Sequence, residues 1–291
     1  MKVLTFADLH LRDTVPSCVD ATHDEWMGIQ RDALEKVLQI AVDNHVDEVC
    51  VGGDIFHSNA TASFECITMF QIFSRNLADS GIVTRIMAGN HDLPQHSSTN
   101  VNKSAIGVLL NSDCIFDMKE DSVIRGCNFD EEDYDGCKAI FKHVLCIPEK
   151  DKSPFVECET PETLLNRYKS SRFIFTGDYH RNFVYKGLDN RYVINSGCLT
   201  KQASDFADYE TGVYVSDLET CDVKWCPVNI GQKFVRNGGS AKADKSVEDF
   251  VSGIKKESVT LDFIGTLRNE LAAQKKDVRD KVEGWIENIG Q

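Results

Sequence analysis

Nowhere in the 291 residues does an apolar run approach the roughly 18 residues that a membrane-spanning helix needs. The opening Met1-Lys2-Val3-Leu4-Thr5-Phe6-Ala7 runs straight into Asp8 and lacks the layered plan of a secretory signal. A soluble, cytoplasmic protein with no membrane partner is expected. No two cysteines stand at Cys-x-x-Cys spacing, and their number, 11, is odd. Cys50 and Cys146 fall inside apolar, strand-like runs. Neither a disulfide framework nor a zinc ribbon fits this pattern, whereas reduced, buried thiols do. Internal repeats are also absent.

Positive charge is scarce. Lys and Arg number 32 against 46 Asp and Glu, a formal net charge of −14. Residues 233–291 hold 11 basic and 10 acidic residues, which leaves 21 against 36 in residues 1–232. An acidic main domain attracts nucleic acid poorly unless bound cations or a basic partner offset its charge.

What is present is a packed α/β chain. Hydrophobic residues make up 42%, enough for a core, and the length suits one large domain or a domain with an appendage. Residues 2–7 read as a buried strand. From Gln30 to Asn44, apolar residues at Ala33, Leu34, Val37, Leu38, Ala41 and Val42 follow helical spacing. Residues 47–51 read as a second strand, 62–79 as a second helix and 82–87 as a third strand. Strands alternating with helices imply parallel pairing through right-handed crossovers. Beyond residue 112 short strand-like runs dominate, at 122–126, 138–147, 172–176, 183–186, 191–195, 212–217 and 222–226, with one helix at 160–169. They read as a second, mixed sheet packed on the first, with helices outside. Gly238-Gly239-Ser240 marks a linker. Past it, 246–256 and 266–289 read as charged helices, the latter with Leu267, Leu271, Val278, Val282, Trp285, Ile286 and Ile289 mostly on one stripe. That stripe suits either packing on its own domain or docking to a second chain.

The chemistry-bearing residues sit where strands end, which is where open α/β sheets hold ligands. Asp8 and His10 follow the first strand, Asp54 the second, Asn90, His91 and Asp92 the third. Gly177-Asp178-Tyr179-His180 follow the strand at 172–176. Carboxylate, imidazole and amide groups gathered this way are ligands for divalent metals. Asp8-Leu9-His10 alone says little, and Gly53-Asp54 alone is a common turn. Gly89-Asn90-His91-Asp92 after a strand is far more specific, and the three in order argue for a site.

The series Asp-x-His, Gly-Asp, Gly-Asn-His-Asp, His, Gly-x-x-His resembles the calcineurin-like metallophosphoesterase superfamily. Within it, the chain is most similar to the SbcD-type DNA double-strand-break-repair exonucleases. That branch is suggested over roughly residues 1–218 by the run from Arg31 to Asp47, by His57 three residues after Asp54, and loosely by Asn195-Ser196-Gly197-Cys198-Leu199. The resemblance implies a four-layer sandwich of two mixed β-sheets flanked by helices over 1–232, with a small C-terminal appendage over 233–291. It implies two divalent metal ions, manganese first, with magnesium or other ions as alternatives. Asp8, His10 and His180 would hold one metal and Asp54 would bridge both. Asn90 and His143 would hold the second, with a buried, non-ligating histidine the alternative at 143. His91 would donate a proton or stabilise charge, and His57 would be a second active-site histidine. One departure stands out: where the family has Gly-His-x-His, Asp178 replaces the first histidine. It would serve as a harder ligand or weaken the second metal site. His23, His45 and His96 match no motif and read as solvated loop residues, with His96 near enough in sequence to reach substrate.

The implied function is a metal-dependent DNA exo/endonuclease subunit in repair, recombination or replication, homodimeric and working with an SMC-like ATPase. Two other readings compete: a metallophosphoesterase for small phosphate esters or nucleotides, which the acidic charge favours, and a non-catalytic scaffold, to which only Asp178 points.

Overall fold

Strand β1 (Lys2–Phe6) shows why the chain folds in layers. Successive side chains of a strand point to opposite faces, and here both faces are apolar: Leu4 and Phe6 enter one core, Val3 another. In β2 (Glu48–Val51), Val49 and Val51 face the first core and Cys50 the second. A strand buried on both faces needs cover on both. The structure, a computed structural model, describes residues 1–59, 62–120, 123–131, 134–152, 157–203 and 209–235.

The remaining elements are α1 (His23–Asp43), α2 (Phe64–Asp79), β3 (Val83–Ile86), α3 (Ala105–Leu110), β4 (Ile115–Asp117), β5 (Ile124–Cys127), β6 (Ala139–His143), α4 (Pro161–Arg167), β7 (Phe173–Gly177), β8 (Phe183–Lys186), β9 (Tyr192–Asn195), β10 (Gly212–Asp217) and β11 (Val223–Pro227). They form a six-stranded sheet in the order β11-β10-β1-β2-β3-β4 and a five-stranded sheet in the order β5-β6-β7-β9-β8. Both are mixed: β1 to β4 run parallel, β10 pairs antiparallel with β1 and β11 antiparallel with β10, while β8 opposes the parallel β5, β6, β7 and β9. Three cores separate four layers. The first lies under α1 and α2 with Trp26, Phe70 and Phe73. The second lies between the sheets with Phe141, Phe173, Phe175 and Tyr214. The third lies under α4 with Ile140, Ile174 and Tyr168. This is the expected α/β sandwich of two mixed sheets flanked by helices.

Two expectations are corrected. The runs at 212–217 and 222–226 do not join the second sheet. Instead β10 pairs antiparallel with β1, from Lys2 opposite Asp217 to Thr5 opposite Tyr214, and β11 follows as a hairpin. The free edge of β1 takes them, and no local pattern in β10 or β11 names that distant partner. Helix α1 also begins at His23, seven residues ahead of Gln30. Thr22 caps it, accepting from the Glu25 N–H while the Glu25 carboxylate accepts from the Thr22 N–H, a capping box that fixes the start. This extra turn matters for the site. Trp26 Nε1 and Gln30 Nε2 donate to the Arg12 carbonyl at 2.9 and 2.8 Å, and Gln30 Oε1 accepts from the Arg12 N–H at 3.0 Å. Helix α1 thereby anchors the loop that leaves β1.

All eleven cysteines are free, and seven of them are buried. No helix among the described residues is long and apolar enough to cross a membrane. The linker at 238–240 and the helices expected at 246–256 and 266–289 lie outside the described residues.

Phe70 is fully buried, packed against Phe73, whereas Phe64 on the same helix is 89% exposed. Phe70→Ala is expected to lower the unfolding free energy by about 3–5 kcal/mol in urea titrations, and Phe64→Ala by no more than about 0.5 kcal/mol. Equal effects would show that α2 does not pack by this face.

Candidate metal centre

Strands β1, β2 and β3 run parallel, so their C-terminal ends share one edge of the first sheet. The loops beyond β1 and β2 stay joined: the Asp8 N–H donates to Gly53 O (3.1 Å), the His10 N–H to Asp54 O (2.9 Å) and the Leu11 N–H to Ile55 O (2.8 Å). The chain turns sharply there. Asp8, His10, Asp54 and Asp178 all adopt positive φ, at 52°, 47°, 51° and 74°. Left-handed backbone at non-glycine residues costs on the order of 1 kcal/mol each and gathers at functional sites. Glycine lets the loops close in. Gly53 has φ 97°, and a Cβ there would stand 2.5 Å from His143 Nδ1. A Cβ on Gly89 would overlap Asp54 Oδ1.

Asp92 staples these loops. Its buried carboxylate accepts from the N–H groups of Ile55 (3.2 Å), Phe56 (2.9 Å) and Gly89 (3.0 Å). Burial, with Asp54 nearby, pushes the Asp92 carboxyl up to about 7. The second sheet supplies the facing wall. There Asn195 Oδ1 accepts from the Thr176 hydroxyl at 3.0 Å, and its amide donates to the carbonyls of Tyr179 and Arg181, which holds the loop of Asp178 and His180.

Six of the seven residues expected as metal ligands come together. One group joins Asp8, His10 and His180, and a second joins Asp8, Asp54 and His143. Asn90 sits at the second, its Oδ1 3.1 Å from His143 Nε2. The would-be ligand atoms crowd together. His143 Nδ1–H donates to Gly52 O at 2.9 Å, which turns Nε2 inward. It meets Asp54 Oδ2 at 3.3 Å, and His10 Nε2 lies 3.7 Å from the same oxygen. His10 Nε2 and His180 Nε2 are 3.1 Å apart. Asp8 Oδ2 and Asp54 Oδ2 are buried with no hydrogen-bond partner. Two carboxylates buried side by side with inward-facing imidazoles and an amide oxygen are stable only with positive charge among them. The set fits divalent metal ions, with oxygen and nitrogen donors in the mixture that such ions take.

The electrostatics follow from this crowding. Burial raises the Asp8 carboxyl to about 6, against the pull of His143 and His180. Burial also works on Asp54, yet His143 first, then His10 and His91, hold it below the usual carboxylate range. Burial opposes charge on His143, but Asp54 and then Asp8 overcome it and push the imidazole up to about 10. His10, burdened most by burial, falls well below the usual imidazole value.

Asp178 stands apart. Its carboxylate joins neither ligand group. Its N–H instead donates to Asp8 Oδ1 at 3.0 Å, which aims that carboxylate. His91 and His57 form the wall beside the metal ligands, in a third group with His10. Their rings stack at 5.8 Å and 28°. His91 Nδ1–H donates to His57 O at 2.7 Å, which leaves Nε2 as the ring nitrogen that can take up and release a proton. Burial, then Arg12 and His91, lowers His57 to about 4. His23 and His45 are exposed, as is His96, whose Nδ1 contacts Asn90 O at 2.9 Å. The sequence reading gave no role to Asp92, although it closes the Gly89-Asn90-His91-Asp92 motif, nor to Arg12, which belongs to no motif. A cleft of about 200 Å³ opens over the centre, lined by Arg12, His57, His91, His180, Thr200 and Gln202 among others.

Comparison with known proteins agrees with this geometry. A family model described as calcineurin-like phosphoesterase matches residues 1–160, more than half the chain. No curated protein matches the sequence. Among solved structures, a dimetal phosphatase from Danio rerio is similar at 12% identity with a TM-score of 0.50, covering 80% of this chain and 98% of that one. Vps29 from Chaetomium thermophilum aligns at 11% identity and TM-score 0.39, over 82% and 99% of the two chains. A Pseudomonas putida nuclease, MPE, aligns at 12% and 0.31, over 73% and 83%. At such identities the first likeness shows the fold alone, and the lower scores carry no argument.

Two predictions follow from the donor set. Asp54→Asn removes a carboxylate charge from the second group, one whose Oδ2 also lies 3.7 Å from His10 Nε2 of the first, so bound metal per chain, counted by mass spectrometry of the dialysed protein, is expected to fall. Asp178→Asn is expected to leave the count unchanged. A reversed pattern would make Asp178 a ligand and Asp54 a spectator. The second concerns protons. Below about pH 10 the His143 imidazole carries a proton that a metal must displace. Metal affinity is therefore expected to rise about tenfold per pH unit between pH 7 and 9, and more steeply below about 6, where Asp8 is also protonated. Calorimetric titrations in buffers of different ionisation enthalpy would detect the released proton. A pH-independent affinity would rule out His143 as a ligand.

Proposed function

We propose that this chain, which belongs to the calcineurin-like phosphoesterase family, is a two-metal phosphodiesterase whose substrate is DNA. The observation that carries the reading is the pair of unpartnered, buried carboxylate oxygens on Asp8 and Asp54, facing His10, His143, His180 and Asn90. In this reading Asp8, His10 and His180 would hold one ion, Asn90 and His143 would hold the other, and Asp54 would serve both. Divalent ions bound there supply Lewis acidity toward a phosphoryl oxygen and make water more acidic.

The chain's own groups do the rest. His91, its ring fixed by the bond from Nδ1–H to His57 O, acts as the imidazolium: Nε2 gives its proton to the departing alkoxide and the ring is left neutral with its hydrogen on Nδ1. An alkoxide leaves poorly without that proton, so His91 bears on turnover more than on binding. Asp92 keeps the Asp54 and Gly89 loops in register, so the ligands need no rearrangement when substrate arrives.

DNA is favoured over small esters by the similarity to the SbcD-type branch across residues 1–218, and by the added wall of His57 and Arg12 beside the ligands. Manganese as the working ion, homodimerisation and an SMC-like ATPase partner belong to the same reading and rest on the resemblance. The excess of acidic residues in 1–232 favours the second reading, a phosphatase or phosphodiesterase for small esters.

Cleavage of single- and double-stranded DNA beside an aryl phosphodiester, with manganese, separates the two. Cleavage of both DNA and ester is expected, and cleavage of the small ester alone would overturn the DNA assignment. His91→Ala is expected to slow turnover by about 10²–10⁴-fold while the metal count holds. Loss of metal in that variant would show that His91 is a ligand instead.

A further inference from the structure

Arg31, Arg85, Arg167 and Arg191 each pair with a glutamate or aspartate. Arg12 pairs with no carboxylate among the described residues. Arg75, Arg125 and Arg172 also lack a carboxylate partner among the described residues, and what sets Arg12 apart is its place in the cleft with a buried, unbonded Nε. It sits four residues after Asp8, half-buried, and lines the cleft over the metal centre. Its Nη1 donates to His57 Nε2 at 2.8 Å, and its Nε is buried with no hydrogen-bond partner. A neutral imidazole accepts that bond but contributes no negative charge, so among the described residues nothing compensates the guanidinium. A buried charge and an unmade hydrogen bond both cost stability, and a fold keeps such a group where something else completes it.

The geometry says what completes it. A guanidinium offers a fork of donors and a permanent charge, the match for a phosphate oxygen pair. Its distance from the ligand set says which phosphate. Arg12 touches the His57 ring, whose centroid lies 5.7 Å from that of His10. Arg12 is therefore one imidazole ring away from the ligands rather than among them. Gln202 Oε1 also lacks a partner in this cleft, but it is an acceptor and repels an anion, which leaves the arginine side for the phosphate.

We propose that Arg12 forms a phosphate subsite beside the metal centre and binds the unreacting phosphodiester next to the one cleaved. The inference rests on the phosphodiesterase reading and deepens it. A substrate with a single phosphoryl group leaves Arg12 unused, while a strand with consecutive phosphates fills both places. Arg12 then selects chain substrates over small esters.

The test uses labelled tetranucleotides in which each phosphate in turn is replaced by a neutral methylphosphonate. Binding is followed by fluorescence anisotropy with manganese, in protein carrying His91→Ala to slow cleavage. With Arg12 present, neutralising one particular linkage is expected to weaken binding about tenfold or more. Arg12→Gln is expected to bind the all-phosphate strand about tenfold more weakly and to be indifferent to that linkage. Arg12→Lys is expected to recover part of both. If Arg12→Gln remains as sensitive to that linkage as the arginine protein, the subsite is refuted. So too if it weakens neutralised and native strands by the same factor, because Arg12 then merely positions His57. If the arginine protein binds no tetranucleotide yet cleaves the aryl ester, the DNA assignment falls and this inference with it. Thermal melting of Arg12→Gln checks the fold, since Trp26 and Gln30 still hold the residue's backbone.

Discussion

Two carboxylates that would rather not be buried together govern this molecule. Asp8 and Asp54 are almost wholly shielded from water, and each keeps one oxygen without a hydrogen bond. Left alone, they would repel each other in a medium that screens poorly. Much of the surrounding structure holds them in place. Asp8 Oδ1 is pinned by the Asp178 N–H and Asp54 Oδ1 by the His91 N–H, so each carboxylate has one tethered and one free oxygen. The left-handed turns at Asp8, His10 and Asp54 aim those side chains inward at a conformational cost that the three cores outweigh. A site built on this frustration is preorganised for cations, because the unfavourable charge is in place before any ion arrives.

Neither sheet makes the centre alone. The first provides Asp8, His10, Asp54, Asn90 and His91 from loops after β1, β2 and β3, and the second provides His143 from β6 and His180 from the loop after β7. Phe141 and Phe175, stacked at 4.5 Å on neighbouring strands of the second sheet, fill the core between the sheets, so packing in that core also bears on the spacing of these residues. A cavity in that middle core would cost stability and would misplace His143 relative to Asp54 at the same time. The outer layers act at longer range. Helix α1 matters to the site through Trp26 and Gln30, which grip the Arg12 backbone from a core position.

Much of this was legible in the sequence because it is written locally. The polar residues at strand ends stand out against apolar runs, and alternating strands and helices predict the parallel half of the first sheet. The short helix α3 and strand β4 escaped because six and three residues carry too little periodicity to read. The placement of β10 and β11 escaped because strand partners are chosen by distant edges. Asp178 shows another limit. Its position after a strand, in place of a family histidine, suggested a carboxylate ligand. The structure shows a backbone N–H at that position aiming Asp8, a role that any residue type able to take φ 74° would fill. Arg12 was silent for a related reason: its meaning comes from the acid it lacks, which only three-dimensional neighbours reveal.

The acidic charge and a phosphodiester substrate are reconcilable once distance is considered. Charges scattered over residues 1–232 act through salt solution, where interactions fade beyond roughly 8 Å at physiological ionic strength. They slow encounter and forbid a broad electrostatic grip on DNA. Contacts inside the cleft are different, because the wall over the ligands is imidazole, hydroxyl, amide and guanidinium, and the two aspartates beneath are matched to cations. On the proposed reading, affinity for a strand would come from a few close contacts rather than from the surface. In such a protein a single uncompensated arginine at the rim weighs more than the same residue would on a basic surface, where many others could replace it.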